Sequence, residues 1–261
     1  MLRVVVLCSH RAPGLVEALA NDPNRGILYD LVACITSEES CADAGALDRL
    51  GVPVLTHDIH AFYRERGARL SNQCVRQQYD CALLPMVRIF AADLVLCCGY
   101  LYVLSDVFLQ GFEGPIVNLH HSDLTVTLPD GAPNYPGLRA VRDALVAGET
   151  ETRSTAHLVT ARVDAGPPLV RTWAFPISPL VCAALEWGAI DVLKAYAYAH
   201  QEWMLRASWP ALIATTLELF ATGRVHWQLT PPRIDGETQV LELESAGLAC
   251  ETVRALAAVG Q

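Results

Sequence analysis

Three observations predict a doubly wound α/β fold with a mostly parallel, Rossmann-like sheet. Short, continuously apolar runs alternate with helical patterns through the first half of the chain. The second half adds two alternating segments around a Gly-Pro turn and then a long helical pattern, so a C-terminal hairpin and helix follow the sheet. The 261 residues, 52% of them hydrophobic, suffice for one large domain with a sizeable core. An α+β fold with mixed strand pairing fits the pattern as the alternative.

The elements follow in order. "LRVVVLC" (2–8) reads as the first strand, with a turn and a helix near 14–20. "DLVACIT" (30–36) is the second strand, "GALDRLG" (45–51) ends a helix at Gly51, and "VPVLTH" (52–57) is the third strand. One helical stretch is expected over 59–90, then strands "DLVLCCG" (93–99) and "GPIVNLH" (114–120). After a loop rich in Pro, Gly, Asp and Thr (121–137), "GLRAVRDALVAGE" (137–149) has a helical pattern. "STAHLVTARVDAGPPLVRTWAFPI" (154–177) alternates, turns at "DAGPP" and alternates again. A helical region over 179–222 is expected to break at Pro210. The domain division is 1–225 and a C-terminal extension, 226–261, of unassigned role.

Composition excludes several functions. The net charge is −9, from 19 basic and 28 acidic residues, and Lys and Arg form no cluster, so a nucleic-acid surface is not expected. The densest basic group, "FYRERGAR" (62–69), reads as a solvated helix face. Mean hydropathy is positive. Yet the longest uncharged apolar run, "LVLCCGYLYVL" (94–104), has 11 residues, against about 20 for a membrane span. "MLRVVVLCSHR" lacks a cleavage region. A soluble, cytoplasmic protein is the expectation. The nine cysteines sit mostly in apolar stretches, without C-x-x-C, and read as buried thiols, with no metal expected. "HDIH" (57–60) and the His120–His121 pair supply four histidines. Adjacent strand histidines point to opposite faces, so these are not expected to share a metal.

Asn118 and His120 end an apolar strand one residue apart, which puts both side chains on one side of the sheet. In a doubly wound fold that end borders the ligand crevice. An asparagine amide suits a developing oxyanion, and histidine is the usual proton-transfer group near neutral pH. An Asn turn with an exposed His fits the same residues. Asp164 ends one hairpin strand, where it either caps the turn or serves a nearby histidine by raising its pKa. The first turn, "CSHRAPGL", is neither G-x-G-x-x-G nor a P-loop. Ser9, His10 and Arg11 either hold an anion there or form a plain strand-to-helix turn.

Four motifs in order carry a resemblance: "DLVLCCGYLYVL", "NLHHS", "NYPGLRAVRDAL" and "STAHLVTARVDAGPP". Over 92–177 the chain resembles the folate-dependent formyltransferases, most of all those acting on glycinamide ribonucleotide. Looser likeness covers 2–55 and "SWPALIATTLELFATGRV" (208–225). The resemblance implies a formyltransferase fold and 10-formyltetrahydrofolate as formyl donor to a small-molecule amine. It makes Asn118, His120 and Asp164 catalytic, with Asp164 keeping His120 charged and His157 beside them. It lays the pteridine against Leu101, Tyr102, Val103 and Leu104, with Ala161, Arg162 and Val163 across the pocket. Ser9, His10, Arg11 and Tyr135 fall on the acceptor side.

Three departures touch that acceptor side. The family's G-x-G-S-N phosphate turn is here "HRAPG" (10–14), where Pro13 lacks an N–H. The loop after "NLHHS" is several residues longer, and His121 replaces a proline. The family's acidic residue before Y-P falls around Leu205–Arg206. An acceptor other than glycinamide ribonucleotide is therefore expected. A 10-formyltetrahydrofolate hydrolase and a non-catalytic folate binder are the rival readings. The sequence leaves the oligomeric state open.

Overall fold

A computed structural model describes residues 1–245. In chain order the elements that build the sheet and its first layers are β1 (Leu2–Cys8), α1 (Leu15–Asn21), β2 (Tyr29–Thr36), α2 (Ala44–Arg49), β3 (Val54–Thr56), α3 (Ile59–Glu65), α4 (Gln73–Arg88), β4 (Leu94–Cys97), α5 (Asp106–Gly111) and β5 (Ile116–His120). The chain continues through α6 (Ala140–Val146), β6 (Glu151–Thr152), β7 (Thr155–Leu158), β8 (Pro168–Arg171), β9 (Phe175–Pro176), α7 (Leu180–Glu186) and α8 (Ile190–Ala221). It closes with β10 (Val225–His226), β11 (Arg233–Ile234) and β12 (Leu241–Glu242).

The main sheet has the order β12-β8-β7-β5-β4-β1-β2-β3. β1 pairs in parallel with β2 and β4, and the parallel set extends to β3 and β5. β7 pairs antiparallel with β5 and with β8, so the expected hairpin joins the same sheet. Strand order reverses at β1, and the crevice at the carboxyl ends of β1, β4 and β5 is the switch point where such folds bind ligands.

The strands are apolar on both faces because both faces are covered. Val4, Val6 and Cys8 pack into one core with α1 and α8, represented by Leu15, Trp209 and Leu212. Val5 and Leu7 point the other way, onto Tyr79, Leu83 and Val87 of α4. This alternation explains why the strands read as unbroken hydrophobic runs.

Two helix expectations are corrected. The stretch 59–90 is two helices, because Asn72 caps a new one by accepting from the N–H groups of Cys74 (3.1 Å) and Val75 (3.3 Å). Over 179–222 the break falls at Gly188, whose φ of 63° ends α7, while α8 runs unbroken through Pro210. Proline removes one N–H from the helix, at a cost of about 3 kcal/mol. The flanking Trp209, Leu212 and Ile213 are almost wholly buried, and their packing holds the helix together.

In the described part of the C-terminal extension, β12 adds in parallel to β8, and Ile234 joins the core beneath α8. The remainder, 246–261, lies outside the described residues. No helix of the described residues is long and apolar enough to cross a membrane.

Candidate active site

β5 ends at His120, and the register of the sheet decides what faces its two polar residues. Asn118 lies directly opposite His157 of β7. The β7–β8 ladder shifts at Ala156/His157, a bulge of the kind that re-aims side chains beside active sites. The Asn118 Nδ2 consequently donates to His157 Nε2 at 3.1 Å. The Nδ1 of His157 lies 2.9 Å from the Leu158 carbonyl, so it carries the proton and Nε2 accepts.

Asp164 arrives from the β7–β8 turn in a left-handed conformation, φ 50°, which Asp tolerates better than most residues. The turn closes tightly behind it. A Cβ on Gly166 would lie 1.7 Å from the Leu158 carbonyl oxygen, so only glycine fits. Asp164 Oδ1 is 3.4 Å from Asn118 Nδ2 and 3.6 Å from His157 Nε2, and Oδ2 is 3.5 Å from His120 Nδ1. Gly137 donates its backbone N–H to Oδ2 at 2.7 Å.

The loop 121–137 folds back as a small hairpin through a bridge between Thr127 and Pro133. Its return places the Tyr135 carbonyl 3.1 Å from His120 Nε2, and Ser122 Oγ donates to the same oxygen at 2.9 Å. Both nitrogens of His120 thus face acceptors: a carbonyl at Nε2 and a carboxylate at Nδ1. With the carbonyl taking the Nε2 proton, Nδ1 is the nitrogen that faces Asp164.

These partners set the charges. Burial tends to raise the Asp164 pKa. The nearby His157 and His120 and the Gly137 N–H together outweigh it and hold the carboxyl well below the usual range. His120 is 5% exposed, and burial depresses its pKa more than Asp164 and the Tyr135 carbonyl raise it. Burial and the Asp164 carboxylate thus pull the His120 imidazole in opposite directions, burial towards its neutral form and Asp164 towards the imidazolium.

Above these groups lies a cavity of about 260 Å³, lined by Asn118, His120, His157 and Asp164 at one end and by residues 99–104 along a wall. Leu101, Tyr102, Val103 and Leu104 all line it, and Val163 faces them. Among the described residues no acceptor is found for the backbone N–H groups of Tyr102 and Val103, which leaves them available to a ligand edge. Ala161 and Arg162 do not line this cavity. They sit at the exposed tip of their loop, where the Arg162 carbonyl accepts from Ala165 N and Thr160 Oγ1.

The first turn also departs from expectation. Ser9 is fully buried, its hydroxyl shared with Ser37 Oγ (2.8 Å) and Leu101 N (3.1 Å). His10 is exposed, and Arg11 is paired with Glu202. None of the three lines the cavity. The Ala12 N–H, which an anion would use, already donates to Asp43 Oδ2 at 2.8 Å. Tyr135 reaches the site through its carbonyl, while its hydroxyl donates to Glu149 at 2.6 Å. His121 lies just beyond β5, and its ring stacks on His120 with centroids 5.0 Å apart, instead of pointing to the opposite face. His57 stacks on Tyr79, and His60 meets Tyr102 and Glu38. Among the described residues no group of three or more His, Cys, Asp or Glu is placed to hold a metal ion.

Sequence reasoning missed Glu202, one helical turn before the position at which an acidic residue was sought. It also missed the Tyr135 carbonyl, the Gly137 N–H and Trp209, which lines the cavity from α8. The "YPG" motif flags that segment, but backbone groups leave no residue-type signal of their own.

An amide, an imidazole and a carboxylate meet at one strand end of a doubly wound sheet, beside the crevice where such folds bind ligands. Residues 2–180 match the formyl transferase family model, and the chain belongs to that family. It is 33% identical over 171 residues to phosphoribosylglycinamide formyltransferase of Escherichia coli, covering 65% of this chain and 71% of that protein. It is 31% identical over 181 residues to trifunctional purine biosynthetic protein adenosine-3 of Drosophila melanogaster, a match covering 68% of this chain and 12% of that much longer protein. Among solved structures, glycinamide ribonucleotide transformylase 1 of Symbiobacterium toebii superposes with a TM-score of 0.62 at 26% identity, covering 86% of this chain and 90% of that one.

Proposed function

We propose that the protein transfers the formyl group of 10-formyltetrahydrofolate to a primary amine on a small molecule other than glycinamide ribonucleotide. The observation that carries the transfer is the convergence of Asn118, His120 and Asp164 within 3.5 Å steps at the floor of an apolar cavity. The donor suits that cavity: a flat bicyclic ring meets apolar walls and free backbone N–H groups, which can read its polar edge. When bound, it supplies a formyl carbon open to attack.

The residues then divide the work. As the amine nitrogen attacks, charge develops on the formyl oxygen. The Asn118 N–H that reaches Asp164 at a long 3.4 Å is the one free to turn to that oxygen. His120 Nδ1 takes the amine proton into the space against Asp164 Oδ2, where the imidazolium finds an acceptor at each nitrogen. Asp164 stabilises that cation, and His120 returns the proton to N10 as the C–N bond breaks.

Support for a different acceptor comes from the first turn. A phosphate there would meet Asp43 on the Ala12 N–H, no N–H at Pro13, and an Arg11 already neutralised by Glu202. The test supplies 10-formyl-5,8-dideazafolate with a panel of amines, glycinamide ribonucleotide included, and identifies the N-formyl product by mass. A His120→Ala rate within tenfold of wild type, or glycinamide ribonucleotide as the preferred acceptor, contradicts the reading.

A further inference from the structure

A second, smaller cavity of about 100 Å³ adjoins the first, and His121 lines both. The lengthened loop builds much of it, through Ser122, Asp123, Val126 and Tyr135, and the segment around β6 supplies Glu149, Glu151, Thr152 and Arg153. The His121 Nε2 is sealed from solvent and has no hydrogen-bond partner. Buried polar atoms are almost always paired, so an orphan on the wall between two cavities asks for a ligand. Burial and the adjoining His120 also keep this imidazole neutral.

The lining is electronegative. Arg153 is consumed by its neighbours, donating to Glu242 Oε1 (2.6 Å), Glu151 Oε1 (3.2 Å) and the Thr172 carbonyl (3.1 Å), with Asp123 Oδ2 at 3.7 Å. Asp123 is filled by Thr125 and Arg171. Glu149 receives the Tyr135 hydroxyl on Oε1, and among the described residues no partner is found for its Oε2. An anionic group is repelled here, whereas hydroxyl and ammonium groups find acceptors.

Building on the proposed transfer, we propose that this smaller cavity is the acceptor subsite. It takes a phosphate-free, polyhydroxylated primary amine, which meets Glu149, and the His121 ring turns for Nε2, closed off as it stands, to pair with that ligand. The nucleophilic nitrogen then passes the His121 ring toward the stacked His120 and Asn118. His121 and the lengthened loop thereby act together as the selectivity element.

The test compares D-glucosamine with D-glucosamine 6-phosphate, a pair differing only in phosphate, with 10-formyl-5,8-dideazafolate as donor. The expected result is a kcat/KM at least about tenfold higher for the unphosphorylated amine. His121→Asn should raise the amine KM by about tenfold and move the donor KM by less, since His121 lines both cavities, and Glu149→Gln should narrow the gap between the two amines. Equal use or preference of the 6-phosphate, or a donor KM that moves as far as the amine KM in His121→Asn, overturns the subsite. So does a His121 ¹⁵Nε2 resonance unmoved by glucosamine when neither amine accelerates turnover. Failure of the parent reading looks different: the donor is consumed at full rate with no amine present.

Discussion

Replacing Asp164 with Asn tests the division of labour at the floor of the cavity. The substitution keeps the shape and the acceptor for Gly137 N–H but removes the charge 3.5 Å from His120 Nδ1. At that distance and an effective dielectric constant of about 20, opposite unit charges attract by about 4–5 kcal/mol. That upper figure applies only while His120 is protonated, the state reached as the amine gives up its proton. Loss of part of it, about 3–4 kcal/mol, corresponds to a fall of about 10²–10³ in kcat. The sign of the pKa change is also fixed. Asp164 is the group that raises the His120 pKa against burial, so Asp164→Asn lowers it further. The assays are single-turnover deformylation of the dideazafolate donor and an NMR titration of the His120 imidazole. A kcat within tenfold of wild type, or a His120 pKa that rises or stays put, refutes the reasoning.

Acid should destabilise the fold through its buried histidines. Burial lowers the pKa of His121 to about 3 and of His200 to about 4, and lowers that of His120. The unfolded chain therefore binds more protons than the native one below about pH 6.5, and stability falls as pH drops through that point. His121 alone accounts for about 2 kcal/mol between pH 6.5 and 5, measurable by urea unfolding at the two values, and the slope should flatten in His121→Asn. Tyr135→Phe should leave kcat within about threefold of wild type in the same donor assay, because the carbonyl and not the hydroxyl holds His120. Gly166→Ala should cost more than about 3 kcal/mol or abolish folding, seen as lost cooperativity in thermal unfolding, since its Cβ has no room beside the Leu158 carbonyl.

Much of the site was legible in the chain because side-chain chemistry and strand period coincide there. An apolar run ending in Asn-x-His puts Asn118 and His120 on one face at the crevice, whatever the fold's details. Asp164 was legible only through the spacing of four motifs, since a carboxylate before Gly-Pro is otherwise an ordinary turn residue. The groups that orient His120 were not legible: a carbonyl at Tyr135 and an N–H at Gly137 exist at nearly every residue, and loop closure alone selects them. Nor does the sequence show that Ser37 and Leu101 take up the Ser9 hydroxyl. The helix boundaries were misjudged for a related reason. Pro210 reads as a break by local preference, but burial on both sides of it outweighs that preference, whereas Gly188 carries the real stop.

The central claim is that Asn118, His120 and Asp164 deliver a formyl group to an amine and not to water. It is tested most directly by following a ¹³C-labelled formyl group on the donor by NMR, with and without amine. The account predicts N-formyl amide as the labelled product, little free formate without amine, and loss of the amide signal in His120→Ala. Formate released at the same rate whether or not an amine is present would contradict it.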